Sequence, residues 1–308
     1  MRHPTDFGGV NVAALTPQRN QTYEADIEAT LTLISFLADA GVDGIVLFGS
    51  TGEFPHFPFE DRIRLLQKAV KHSPVPVMAG IGHSTFDGAV ELGRQACSAG
   101  ASGLLLMPPY FFRYNQDDIH EFYMRFASVM GGSAQIFLYN IPLFTSEITA
   151  ETAVALLRTG LFAGIKDSGG EYGYFEQLAS ASKETPFKIL IGNDRIYSRA
   201  RKAGAHGMVS GVACAVPELQ VALKDAVAKD HTAKIERLNG FLNEFIDWFF
   251  KFPTPVAVKV ALNERGLKTG PPASPLSDAG RKRLDQFREW FRAWLPLVLR
   301  ESETCVIK

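Results

Sequence analysis

Short apolar runs rich in Val, Ile, Leu and Ala recur along the chain. Each is followed by a longer stretch in which apolar positions return every three or four residues. The runs cover 9–15, 44–49, 77–82, 103–107, 136–140, 164–167, 188–192 and 207–211, which makes eight. Most are almost continuously apolar rather than alternating, the pattern of strands buried on both faces. Helical spacing fills the intervals, as at 24–40, 60–72, 85–99 and 117–129. A glycine stands where a helix would hand over to the next strand in Ala40-Gly41-Val42-Asp43-Gly44 and Ala99-Gly100-Ala101-Ser102-Gly103, and again in Ala203-Gly204-Ala205-His206-Gly207.

Eight β–α alternations with short connections predict a closed (β/α)8 TIM barrel over 8–228. An open doubly wound sheet would carry a Gly-x-Gly-x-x-Gly turn after its first strand, where this chain has Leu15-Thr16-Pro17-Gln18-Arg19. Gly80-Ile81-Gly82 continues as His83-Ser84-Thr85, so the third glycine is missing there too. The alternation then stops, and 229–308 reads as a C-terminal helical extension packed on the barrel. Its helices are predicted at 233–250 and 280–299, with Phe241, Phe245, Trp248, Phe249, Phe287, Trp290 and Trp294 on their apolar faces. A third begins at Phe252-Pro253-Thr254-Pro255 and runs to about 265, and 270–275 is a loop.

Composition narrows the function. The 308 residues are 46% hydrophobic and 21% charged, as in ordinary globular proteins, and 32 Lys+Arg against 33 Asp+Glu leave a net charge of −1. That balance argues against nucleic acid or an anionic membrane as an obligate partner, since both call for a clustered basic field. No run approaches the roughly 18 apolar residues of a spanning helix. Residues 1–6 lack an apolar signal core, so a cytoplasmic protein is expected. Cys97, Cys214 and Cys305 are odd in number and far apart, which suits buried or tail thiols rather than a disulfide framework. The seven histidines show no metal-ligand spacing, so no metal is expected. No Gly-x-Ser-x-Gly elbow occurs either.

Barrels of this kind carry their chemistry at the C-terminal ends of the strands. Lys166 follows the apolar Ala163-Gly164-Ile165 near the end of the sixth run, so its stem would start inside the barrel mouth. An amine there is partly stripped of water and can form an imine with a ketone; the alternative is a structural ion pair with Asp167 or Asp194. Tyr139 ends the neighbouring run and is either a proton relay or an aromatic filling the top barrel layer. Ser50 and Thr51, flanked by Gly49 and Gly52, form either a carboxylate cradle or a turn with a helix cap. Asp194, after the seventh strand, places an anion where many barrels bind phosphate.

Four segments in order resemble the pyruvate-dependent class I aldolase family that includes dihydrodipicolinate synthase and N-acetylneuraminate lyase. They are Ala14-Leu15-Thr16-Pro17, Gly49-Ser50-Thr51-Gly52-Glu53, Tyr139-Asn140-Ile141-Pro142 and Gly164-Ile165-Lys166-Asp167-Ser168-Gly169-Gly170. The likeness covers roughly residues 8–298. It implies Lys166 as the Schiff-base lysine, Tyr139 as the proton relay and Ser50 with Thr51 as the grip on the pyruvate carboxylate. It also implies Val209 and Ser210 at the pyruvate site and Asp194 toward the second substrate. The substrates would be pyruvate and a small aldehyde or 2-oxo acid, the electron sink would be the lysine imine without a cofactor, and the assembly would be a homotetramer built as a dimer of dimers.

Departures from the family pattern bear on the substrate. Leu143-Phe144-Thr145 stands where synthases carry the arginine that binds aspartate semialdehyde, and Phe111 replaces a second tyrosine. The Ser50-Thr51 order and the Lys-Asp-Ser-Gly-Gly run resemble aldolases and lyases more. Arg195 after Asp194 departs from the neuraminate lyases. The expected reaction is cleavage or formation of a C–C bond between pyruvate and an aldehyde, with a 2-keto-3-deoxy sugar acid or 4-hydroxy-2-oxo acid as substrate. The alternatives are 4-hydroxy-tetrahydrodipicolinate synthase, a 2-keto-3-deoxy acid dehydratase, or a sensor or scaffold without turnover. Leu143, Phe144, Phe111 and Phe48 would make part of the second-substrate side apolar, which also allows a less hydroxylated or aromatic aldehyde. Arg113 reaches a distal carboxylate if its loop folds inward.

Overall fold

The computed structural model describes residues 6–20, 22 and 24–303; His3 and Cys305 lie outside these. Eight parallel strands close into a barrel in chain order. They are β1 (Gly9–Ala13), β2 (Gly44–Leu47), β3 (Val77–Gly80), β4 (Gly103–Leu106), β5 (Ile136–Asn140), β6 (Gly164–Asp167), β7 (Lys188–Ile191) and β8 (Gly207–Ser210). Every residue of β2 to β6 is buried, as near-continuous apolar runs require of strands covered on both faces. Closure pairs Asn11 of β1 with Val209 of β8 and Val12 with Ser210. Phe7 packs edge-on against Phe137 at 5.5 Å, and Asn11 donates to the carbonyls of Phe7 and Met208.

Several helices start where a side chain can satisfy the first turn. Asp26, Thr85, Asn115 and Thr149 each accept from a first-turn amide of the helix that follows. Gly100 ends the helix Phe86–Ala99 at a φ of 87°, a left-handed conformation that an L side chain resists. The second strand is shorter than its apolar run predicts, because Phe48 turns left-handed at a φ of 58° and breaks the ladder. A Cβ on Gly80 would sit 2.2 Å from the Phe48 carbonyl oxygen, so only glycine lets the two backbones meet there.

After β8 come Val212–Ala215 and Pro217–Ala228, then the helices Thr232–Phe249, Val256–Glu264 and Asp278–Ser302. Phe245 lies between Phe287, Phe291 and Trp294, with ring centroids 5.8–6.1 Å away. Val256–Glu264 is buried from Val256 through Leu262, and this includes Lys259. Its Nζ lies 2.7 Å from Glu53 Oε2 and donates to the Pro271 carbonyl at 2.8 Å. Both side chains are almost fully buried, so the extension is bolted to the loop after β2 by an ion pair shielded from solvent. Lys259→Met should cost about 3–5 kcal/mol of unfolding free energy, because it strands a buried carboxylate. Adding Glu53→Gln should recover much of that loss, which urea titration of the single and double variants would measure.

Candidate active site

The strand ends converge on a cavity of about 450 Å³. Lys166 and Tyr139 are register partners on β6 and β5, so both side chains leave the barrel on the same face at the same level. Lys166 is 3% exposed, and its Nζ stands 4.1 Å from the centroid of the Tyr139 ring. The aromatic face offers it an electrostatic partner without neutralising it. Gly192 leaves room for the lysine stem, since a Cβ there would come within 3.0 Å of Lys166 Cε.

Neither carboxylate predicted as an ion-pair partner lies within 4.0 Å of the Lys166 nitrogen. Alternation along β6 puts Asp167 on the opposite face, where it accepts from Asn140 Nδ2 at 2.7 Å and from the Gly169 amide at 3.0 Å. Asp194 Oδ1 accepts from Gln220 Nε2 at 2.9 Å. Among the described residues, Lys166 has no carboxylate oxygen within 4.0 Å.

The loop after β2 supplies the hydroxyls. Ser50 Oγ and the Tyr139 hydroxyl are 3.3 Å apart and share a hydrogen bond. The amides of Gly52 and Glu53 are used inside the turn, donating to the carbonyls of Gly49 and Ser50. Those of Ser50 and Thr51 find no acceptor among the described residues. Two free N–H groups beside two hydroxyls make a cradle for a carboxylate. Glu53 anchors the turn from behind through Lys259.

Ser50, Thr51, Tyr139, Lys166, Asp194 and Val209 all line the cavity. Ser210 does not: it is fully buried, accepts from the Ala213 amide at 2.9 Å and hydrogen-bonds Asp194, so it stands behind that carboxylate. Arg113 stays on the surface and donates to the Thr145 carbonyl. Phe48 and Phe111 are also outside the lining; Phe48 is buried under Arg62 and Phe111 is 85% exposed. Sequence reasoning missed the contribution of the extension, which brings Ile246, Phe249, Phe250 and Thr254 to the cavity. Their apolar spacing reads equally well as core packing. Lys259 within Val-Ala-Val-Lys-Val-Ala-Leu was the one visible sign of a buried charge in that segment.

Among the described residues no group of three or more His, Cys, Asp or Glu side chains is placed to hold a metal, and no helix is long and apolar enough to cross a membrane. Burial pushes the Asp194 carboxyl up to about 6, with Ser210 and Lys166 pulling it down by smaller amounts. An acid raised in the folded state costs stability as it ionises. Native stability should therefore fall as pH rises from about 4 to above 6. Asp194→Asn should flatten that fall by about 3 kcal/mol, measured as the difference in unfolding free energy between pH 4 and pH 8.

The model of the dihydrodipicolinate synthetase family matches residues 6–293. A 4-hydroxy-tetrahydrodipicolinate synthase from Methanoculleus marisnigri is 30% identical over 92% of this chain and 98% of its own. A DapA-like lyase from Halobacterium salinarum is 31% identical over 82% of each. Among solved structures, a prophage protein of the same family from E. coli K12, in complex with pyruvate, is 25% identical. It superposes with a TM-score of 0.86 over 94% of this chain and 99% of that one. With the barrel, the helical extension and the four ordered segments all in place, the chain belongs to the dihydrodipicolinate synthetase family.

Proposed function

We propose that the protein is a cofactor-free Schiff-base lyase that interconverts a 4-hydroxy-2-oxo acid with pyruvate and an aldehyde. The observation that carries this reading is the buried Lys166 amine, 4.1 Å from the Tyr139 ring and out of ion-pairing range of every described carboxylate. Its nitrogen attacks the keto carbon, the Tyr139 phenol gives up its proton, and water leaves to give a protonated imine beside a phenolate. Ser50 and Thr51 grip the adjoining carboxylate through hydroxyl and amide groups. Tyr139 then takes the proton of the C4 hydroxyl as the C3–C4 bond breaks, and the electron pair moves onto the imine nitrogen. The aldehyde departs, Tyr139 passes its proton to C3 of the enamine, and water releases pyruvate and the free amine while returning a proton to Tyr139. The condensation runs the same steps backwards.

The names of the relatives favour a second reading, condensation of pyruvate with aspartate semialdehyde. That substrate carries a second carboxylate. Leu143 and Phe144 occupy the loop that would have to bind it, and both line the cavity. The lyase reading therefore accounts better for this chain. Family membership also supports a dimer of dimers, in which the exposed, edge-stacked pair Phe111 and Phe112 would be covered.

Borohydride reduction in the presence of pyruvate should leave one covalent adduct, on Lys166, identified by peptide mass. Lys166→Ala should abolish both adduct and turnover. Tyr139→Phe should slow turnover by about 10²–10⁴-fold, the usual reach of general acid–base catalysis. An adduct on another lysine would reject the mechanism.

A further inference from the structure

The charged side chains lining the cavity are Lys166 and Asp194. Once Lys166 is committed to the imine, no cation on the lining remains among the described residues for a second carboxylate. Arg113 is tied to the Thr145 carbonyl, and Arg195 bonds Asn243 and Asp247. Asp194, whose carboxyl is raised to about 6, is an anion at neutral pH and repels one. The cavity thus rejects aldehydes that carry a carboxylate.

Sugar-like chains fare little better. Beyond the pyruvate grip, the lining offers Ser168, Asn193, Asp194 and Thr254. Asn193 Oδ1 already accepts from the Arg195 amide, and Asp194 Oδ1 from Gln220. The Ser168 and Thr254 hydroxyls and the Asn193 amide nitrogen remain, enough for the hydroxyl that the reaction makes at C4 and a near neighbour but not for a long hydroxylated chain. Much of the rest is apolar: Leu143 and Phe144 from the loop after β5, and Ile246, Phe249 and Phe250 from the extension. Each further hydroxyl set against these side chains would lose water and gain no partner.

Three of these side chains stand in solvent although they belong to one cavity. Leu143 is 73% exposed, Phe250 70% and Phe144 49%. Single exposed apolar residues are ordinary, but three on the rim of a cavity with a reactive lysine at its base form a surface for an apolar group. We infer that the aldehyde half of the substrate is aromatic or branched-alkyl, so that the 4-hydroxy-2-oxo acid bears that group on C4. This rests on the Schiff-base reading above and adds Leu143, Phe144, Ile246, Phe249 and Phe250 as the residues that select the aldehyde.

The test runs the intact enzyme in the condensation direction with pyruvate and each of benzaldehyde, isobutyraldehyde, glyceraldehyde and glyoxylate. The 4-hydroxy-2-oxo acid product is read by mass spectrometry. Benzaldehyde should exceed glyceraldehyde in kcat/KM by about tenfold and glyoxylate by about a hundredfold. Phe144→Asn and Phe250→Asn, both at exposed positions the fold tolerates, should each lower the benzaldehyde-to-glyceraldehyde ratio by about tenfold. A preference for glyceraldehyde or glyoxylate would overturn the assignment, as would condensation with none of the four. A ratio indifferent to both substitutions would do the same, including the case in which they shift only the sedimentation of the assembly because a second copy covers these residues. Borohydride trapping with pyruvate alone separates the two levels. An adduct with the wrong aldehyde preference rejects the apolar substrate, and no adduct rejects the imine along with it.

Discussion

Burying a lysine amine without a counter-ion is expensive, since the group gives up its water and receives no carboxylate in return. Lys166 has no carboxylate oxygen within 4.0 Å among the described residues and feels Asp194 only across the cavity, and the rest of the barrel mouth is arranged around it. A second buried lysine shows the contrast. Lys259 is as deeply enclosed, but it has Glu53 at 2.7 Å and the Pro271 carbonyl at 2.8 Å, the surroundings of a structural ion pair. Lys166 has an aromatic face instead. The carboxylates that could quench it are occupied elsewhere: Asp167 by Asn140 and the Gly169 amide, and Asp194 by Gln220 and Ser210. A structural pair fixes two segments of chain, whereas an unpaired amine beside a phenol and an open cavity is placed for bond formation.

The two lysines are nevertheless connected through the backbone. Ser50 and Thr51 can grip a carboxylate only if the turn that carries them holds still. That turn ends at Glu53, a left-handed residue with a φ of 50°, and Glu53 is clamped by Lys259 of the extension. On its other side the turn follows Phe48, also left-handed, against which Gly80 packs without a side chain. Two residues in a sparsely allowed conformation within six positions store strain that the surrounding contacts must hold. Arg62 contributes by donating to the carbonyls of Gly80 and Gly82 while lying over the rings of Phe48 and Phe54. The extension therefore steadies the cavity-lining turn as well as forming an outer layer.

Much of this was legible in the chain itself, for physical reasons that differ from place to place. The eight strands show as apolar runs because each is covered on both faces, and the helix ends show as glycines because the left-handed turn disfavours anything larger. Strand boundaries were blurred where apolar residues continue past the last ladder bond, as Phe48 does after Leu47. Lys166 and Tyr139 were legible as strand ends, but whether Lys166 was paired could not be read from Asp167 standing next to it. Neighbours in a strand point to opposite faces, and that alternation is what separates the two. The same rule places Val209 on the cavity and Ser210 behind it. The apolar wall of the cavity was the least legible part. Ile246, Phe249 and Phe250 lie about 80 residues beyond Lys166 in sequence and carry the same apolar spacing as the core residues Leu242 and Phe245.

That division of labour along the chain has a consequence for specificity. Lys166, Tyr139, Ser50 and Thr51 sit on strand ends or on a clamped turn, so their geometry is set by the packing of the barrel. Leu143, Phe144 and Phe250 sit on a loop and at the end of an extension helix, largely in solvent, where a change of side chain disturbs few other contacts. Substitutions at well-separated sites act nearly independently, so the rim of the cavity can change while the buried lysine and phenol at its base stay in place. Family membership fixes the shared chemistry at the base of the cavity and leaves the rim free to select the partner. For this chain the rim is apolar and, among the described residues, carries no cation, so the surface above the lysine differs in character from the polar base beneath it.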